Sequence, residues 1–384
     1  MGPPALALLM ISTSLAAAHA GTTALPPYVQ AYEPQGVDER GIWMEVDEIE
    51  RTLHDSKFVI RDEALSAYIK GVFCQTVGEE RCRNVRMYAM RIPAFNATMA
   101  PNGMMMVWSG LLLRMKNEAE LGSVLGHEFA HFELRHSLKG FKQARTSSDI
   151  LAWLSVLGSN NAMLSATVVG NFYAFNRAQE KEADLLGLNY LAASVYPSSV
   201  APNIWQRLMA EQNATAAGRK RKVNHRYMSG FAASHPTELA RATYLKEVTD
   251  KVGDTGDDDG GAAYRTAMSK WLPIFLEDQI KLNDFGGTEY LLGQLASDGW
   301  TAELLYARAE LYRQRGNPRD ITTAIQFYQE ALDKGYTRPE AWRGLGFSLL
   351  RSQQAQQGKE ALRRYLEMKP DAPDATMISA LAPN

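Results

Sequence analysis

His127 and His131 stand four residues apart in the stretch LGSVLGHEFAHFELRH, residues 121–136, of a chain with seven histidines in all. On a helix that spacing stacks the two imidazoles on one face, one turn apart, where both reach a single ion. They supply two of the ligands zinc needs. Glu128 lies between them in sequence but about a quarter turn aside, too far round to ligate and close enough to touch a water on the ion. Such a water has its pKa lowered towards about 7, and a carboxylate beside it takes the proton as the oxygen attacks a peptide carbonyl. Val124, Leu125, Phe129, Ala130 and Phe132 are uncharged, as a buried helix with its histidines facing a closed cavity requires. The competing reading is a pair of hydrogen-bonded core histidines. His136, five residues after His131, falls off the ligand face and is read as structural or surface.

A third ligand has to come from elsewhere, and NRAQEKEAD, residues 176–184, offers it. Glu180 and Asp184 share a helix face, whereas Glu182 points away from them. A carboxylate at Glu180 completes a His2Glu set with one position open for water. Asp184, one turn on, is placed to accept the free ring N–H of a ligand histidine and hold its tautomer. Taken without the histidine helix, these acids read equally as a solvated helix face.

The elements that must carry these groups are legible in outline. Asn117 followed by Glu120 forms a capping-box signature, and apolar periodicity then runs through Leu134. VRMYAMRIP, residues 85–93, has strand content, and residues 94–112 read as two extended runs around the turn signal Pro101-Asn102-Gly103. The run from Ala94 to Met99 offers a strand edge to which a substrate peptide could add. The second helix shows an inward stripe of Ala183, Leu186 and Tyr190. Residues 21 to about 40 read as an irregular arm, with helical spacing beginning near Met44. Two apolar runs, 150–158 and 162–175, are split by Gly158-Ser159-Asn160-Asn161, so neither reaches the roughly 20 residues of a membrane span.

At 384 residues, 46% hydrophobic and 22% charged, the chain is a folded protein of two domains. A net charge of −2 gives no nucleic-acid signature, and the one basic run, residues 218–226, reads as a solvated loop. Residues 1–20 read as a signal peptide, an apolar run from Ala5 to about Leu15 followed by Ala18-His19-Ala20, although no Lys or Arg precedes the run. Cys74 and Cys82 are the two cysteines, and in an exported protein they read as a disulfide; two reduced, buried thiols are the alternative. The acidic glycine run at 252–261 has linker composition and marks the boundary between residues 21–251 and 262–384. Beyond it Ala324, Tyr328 and Ala331 recur 37 residues later as Ala361, Tyr365 and Met368, with Trp342, Leu345 and Gly346 heading the second unit. The pattern resembles the tetratricopeptide helix pair, whose period is 34, with the excess expected in a longer turn inside each unit.

With GHEFAH and the Glu180-to-Asp184 helix in hand, the sequence resembles the gluzincin peptidases of the HtpX and CAAX prenyl protease family, over roughly residues 60 to 245. The added helical half is similar to that of the exported BepA-like branch. The resemblance implies an α+β fold, a mainly helical zincin-like domain with a small sheet followed by an all-α repeat domain. It implies one Zn2+ on His127, His131 and Glu180, with Glu128 as catalytic base. In SHPTELAR it implies that His235 approaches the metal to hold the site shut or to assist the transition state, and that Arg241 stands near the site as a further catalytic residue. It further implies a periplasmic peptidase acting on envelope or misfolded polypeptides, with outer-membrane assembly machinery met through the repeats. A reading of another class is an assembly adaptor or chaperone whose metal site is structural or latched.

Overall fold

The computed structural model describes residues 25–30, 32–146, 177–222, 238–254 and 256–382. The expected signal peptide, the apolar runs 150–158 and 162–175, and His235 lie outside the described residues. The architecture is the expected one, mostly helical with one small sheet.

Among the described residues the first helix, α1 (Gly36–His54), starts well before Met44, so helical structure begins earlier than expected. Glu39 explains the early start: its carboxylate accepts the Gln35 N–H at 2.6 Å and the hydroxyl of Tyr32, fixing the first turn from inside. Helix α2 (Glu63–Val77) opens on Asp62, whose side chain accepts the Leu65 N–H at 2.8 Å, and the short α3 (Glu79–Cys82) is tied back to it by the Cys74–Cys82 disulfide. Three strands follow, β1 (Arg86–Met90), β2 (Ala97–Met99) and β3 (Met104–Trp108), in the order β1-β3-β2. β1 runs parallel and β2 antiparallel to the central β3. The hairpin between β2 and β3 turns at Gly103, whose φ of +87° suits a residue without a Cβ.

The central strand reads MMMVW because both of its faces are covered. Met105 and Val107 join Ala89 and Ala97 in the main core against α2 and the histidine helix. Met104, Met106 and Trp108 face the other way, onto Ile42 and Val46 of α1 and Leu138.

After the short α4 (Ser109–Leu112) comes the histidine helix, α5 (Glu118–Glu133), followed at once by α6 (His136–Thr146). The Asn117 side chain accepts the Glu120 N–H at 2.8 Å, as the capping signature requires. Glu120 reaches back one residue further than expected, to the Lys116 N–H at 2.9 Å, and its carboxylate takes both Arg207 guanidinium branches at 2.8 and 2.6 Å. Helix α7 (Arg177–Ala192) lies along α5. Their crossing depends on Gly187, where a Cβ would come within 2.9 Å of the His127 nitrogen. Helices α8 (Ala201–Gly218) and α9 (Glu238–Val252) follow before the acidic run.

The acidic run does more than connect. The Asp259 carbonyl accepts the Ala119 N–H at 3.1 Å and its carboxylate accepts from the Asn117 side chain at 2.8 Å, so the segment caps the start of α5. Beyond it lie α10 (Gly261–Met268), α11 (Leu272–Ile280) and α12 (Phe285–Leu295). Their Tyr264, Phe275 and Leu292 belong to the same buried core as Leu121 and Leu125 of α5. Two helix pairs then follow, α13 (Ala302–Arg315) with α14 (Pro318–Asp333), and α15 (Glu340–Arg351) with α16 (Ala355–Met368), before the terminal α17 (Ala375–Leu381). The second helices of the pairs begin 37 residues apart, as the repeat demands. The turns inside the pairs are short, against expectation. The extra length sits between the pairs, at residues 334–339, where Tyr336 turns back into the core.

Candidate metal centre

Helix α5 presents His127 and His131 on the face that meets α7, and α7 presents Glu180 and Asp184 in return. The two imidazole Nε2 atoms are 3.1 Å apart. Glu180 sets one carboxylate oxygen 3.7 Å from the His127 Nε2 and the other 3.5 Å from the His131 Nε2. All three side chains are buried. Ligands placed 2.0–2.2 Å from a tetrahedral ion lie roughly 3.3–3.6 Å from one another, and these separations bracket that range.

The far side of each ring is held. Asp184 lies 2.9 Å from the His127 Nδ1, and His136 lies 2.9 Å from the His131 Nδ1. A ring whose Nδ1–H is donated outward leaves its Nε2 as a lone pair facing the centre. With the His131 Nδ1 donating as well, two Nε2 lone pairs would face each other at 3.1 Å, an arrangement that a cation between them relieves, so the donor set fits a divalent ion gripped by two imidazoles and a carboxylate.

Behind Asp184 stands a second layer from α9. Arg241 donates through Nε at 2.9 Å and Nη2 at 2.6 Å to the two Asp184 oxygens, and the Tyr244 hydroxyl donates to the same carboxylate. The Arg241 guanidinium also lies 3.3 Å from Glu180 and 3.9 Å above the Trp205 ring of α8.

Residues 61–249 match the peptidase family M48. This stretch is a peptidase family M48 domain. Its start lies just before α2 and its end within α9, so it takes in all of the groups above. The chain is 29% identical over 163 residues to the mitochondrial metalloendopeptidase OMA1 of Schizosaccharomyces pombe, which covers 42% of this chain and 45% of that protein. It is 31% identical over 155 residues to OMA1 of Arabidopsis thaliana, 40% of this chain and 30% of that one. Against the beta-barrel assembly-enhancing protease of Escherichia coli K12 it is 26% identical over 174 residues, 41% of this chain and 36% of the other. The alignments thus span less than half the length of each of these relatives.

Within the M48 domain the charges are set by burial. Glu128 is buried on α5, and desolvation together with the nearby Glu180 pushes its carboxyl well above the ordinary carboxylate range. Desolvation likewise pushes Glu180 up to about 7, opposed by Arg241 and His127. Asp184 goes the other way: although burial would raise it, Arg241 and His127 hold it well below its ordinary value. Burial and the Arg241 charge push His127 down, which favours the neutral ring that ligation needs.

His136 departs most from the sequence reading. Of the two readings, structural or surface, its full burial excludes the surface one, and its Nδ1 lies against that of His131. The i+5 argument assumed a continuous helix, whereas Arg135 adopts φ 57° and folds the chain back before α6 begins. Glu182 does point away from Glu180, as expected, and its carboxylate lies 3.1 Å from the His136 Nε2. Tyr244 and Trp205 had no sequence signal beyond lying on apolar helix stripes. A cleft of about 880 Å3 opens between α4, α8 and the helices after the linker, lined by Arg114, Glu211 and Tyr264, and none of the metal-centre residues lines it.

Proposed function

We propose that the protein is an exported zinc-dependent endopeptidase that hydrolyses peptide bonds of envelope or misfolded proteins. The observation that carries this is the meeting of His127 and His131 from α5 with Glu180 from α7, both histidines tied at Nδ1 so that their Nε2 atoms converge. A nitrogen, nitrogen and carboxylate set with an open position suits zinc, which when bound polarises a carbonyl and makes water more acidic. His127, His131 and Glu180 are the proposed ligands. Glu128 is the proposed base: raised by its surroundings, it takes a proton from water near neutral pH and passes it to the departing amide nitrogen. Asp184 orients His127, and Arg241 acts through Asp184 as a positioning residue rather than on the substrate. His235 lies outside the described residues, and its role as latch or helper comes from the resemblance.

Substrate binding is assigned to β2. Among the described residues this strand pairs on one side only, with β3, and a peptide added to its other side would bind through backbone hydrogen bonds with little sequence demand. The helix pairs beyond 252–261 are proposed as a tetratricopeptide-like docking part for clients or for outer-membrane assembly machinery. The name of the Escherichia coli relative supports that direction, as does the signal-like start for a periplasmic location.

The test is Glu128→Gln. Elemental analysis should find one zinc per chain in parent and variant alike. Casein cleavage should fall about 10²–10⁴-fold in the variant alone. Zinc in both proteins with cleavage by neither, and equal protection of an unfolded client, would favour an adaptor instead.

A further inference from the structure

The metal centre rests on a proton arrangement that continues past its ligands. The His131 and His136 rings meet through their Nδ1 atoms at 2.9 Å, and two imidazole nitrogens at that distance require one to carry a proton and the other to accept it. If the His131 Nε2 offers its lone pair to a metal, its Nδ1 carries the hydrogen. The His136 Nδ1 is then the acceptor, which places the proton of that ring on Nε2. That atom faces a Glu182 oxygen at 3.1 Å, an acceptor and nothing else. One assignment satisfies all three groups, and every donor along it points from the metal side towards solvent.

The backbone is bent to make this contact. On an uninterrupted helix, residue 136 would lie about 140° round from residue 131. Arg135 instead takes the left-handed conformation, φ 57°, which a residue with a side chain adopts only when the surroundings hold it. They do hold it. The Arg135 guanidinium sits 4.8 Å from the centre of the Tyr32 ring and 3.6 Å from Glu39, so α1 and the residues just before it clamp the turn that returns His136 to His131.

We propose that His136 is a positioning residue for the metal: it accepts the Nδ1–H of His131, and with Glu182 behind it fixes the tautomer and ring orientation in which His131 can ligate. His131 thereby receives from α6 and α7 what Asp184 gives His127. This rests on the metal-centre reading above.

The test uses the full chain and zinc alone. Asn at 136 places an acceptor oxygen near the position of Nδ1, whereas Leu places a methyl there. Competition with a chromophoric chelator should show zinc bound about 10–100-fold more weakly by His136→Leu, and within about threefold of the parent by His136→Asn. Long-range 1H–15N correlation spectra of the histidine-labelled parent should show His131 protonated at Nδ1. Equal affinity in all three proteins, or an Asn variant as weak as the Leu variant, would overturn the proposal, and so would a His131 ring bare at Nδ1. If thermal melts of the metal-free protein show that His136→Leu does not fold, Glu182 decides, because its side chain is 58% exposed and its loss leaves the core intact. Glu182→Ala should weaken zinc binding severalfold and Glu182→Gln, which keeps an acceptor oxygen, should not; no change in either overturns the idea. A parent that binds no zinc at all refutes the metal-centre reading itself, and the two failures are thereby told apart.

Discussion

Asp184 is a single carboxylate that holds His127 on one side and a buried arginine on the other. Its negative charge is tolerated in the interior because Arg241 and the Tyr244 hydroxyl answer it directly. Removing one member of such a pair strands the other charge, which costs about 3–5 kcal/mol. Arg241→Met should therefore lower the unfolding free energy by that amount in urea titrations of the metal-free protein. Arg241→Lys should recover only part of it, since an ammonium cannot donate two parallel bonds to the carboxylate or lie flat on Trp205. A full recovery by Lys would mean that charge alone is what Asp184 needs.

The elements matter here chiefly through where two helices cross. α5 and α7 approach at Gly187, and that closeness is what brings Glu180 to the imidazole pair. In an exposed helix, replacing glycine by alanine gains about 1 kcal/mol. At 187 the sign should reverse. The new methyl would meet the backbone of His127, which cannot rotate aside, and overpacking of this kind costs about 1–3 kcal/mol. Gly187→Ala should thus be destabilised in urea, and its zinc affinity, measured by chelator competition, should fall as Glu180 is carried away from the histidines. An alanine variant that is more stable and binds zinc normally would show that the helices have room to spare.

At the scale of the whole chain the two halves share an interior. Phe275 and Leu292 lie beyond the acidic run yet pack in the core that backs α5, the Tyr264 hydroxyl donates to the Leu112 carbonyl at 2.5 Å, and Arg91 pairs with Asp278 at 2.6 Å. A core that continuous should unfold as one unit. Scanning calorimetry is expected to give a single transition for the metal-free protein. Leu292→Ala, about 2–5 kcal/mol less stable by cavity formation, should lower hydrogen-exchange protection of the α5 amides by a matching amount. Two separated transitions, or α5 amides indifferent to residue 292, would point to halves that fold alone.

The residue types and spacings of 127–131 and 180–184 were enough to place four groups on two helix faces, because helical periodicity is a local property that the chain fixes within one or two turns. The β2–β3 turn at Gly103, the Asn117 cap and the helix-pair period were legible for the same reason. Local periodicity could not reveal contacts that depend on how the chain reverses or on which distant segment fills a gap. His136 falls off the ligand face by spacing, and only the left-handed Arg135 returns it to His131; that turn is held by Glu39 of α1, nearly a hundred residues earlier. The acidic run had the composition of a tether and became the cap of α5, because the free amides at that helix start needed acceptors and Asp259 was brought to them. The sequence by itself determined which side chains could hold a metal; the tertiary structure decided which others hold those side chains still, since orientation in a buried site is set by neighbours in space.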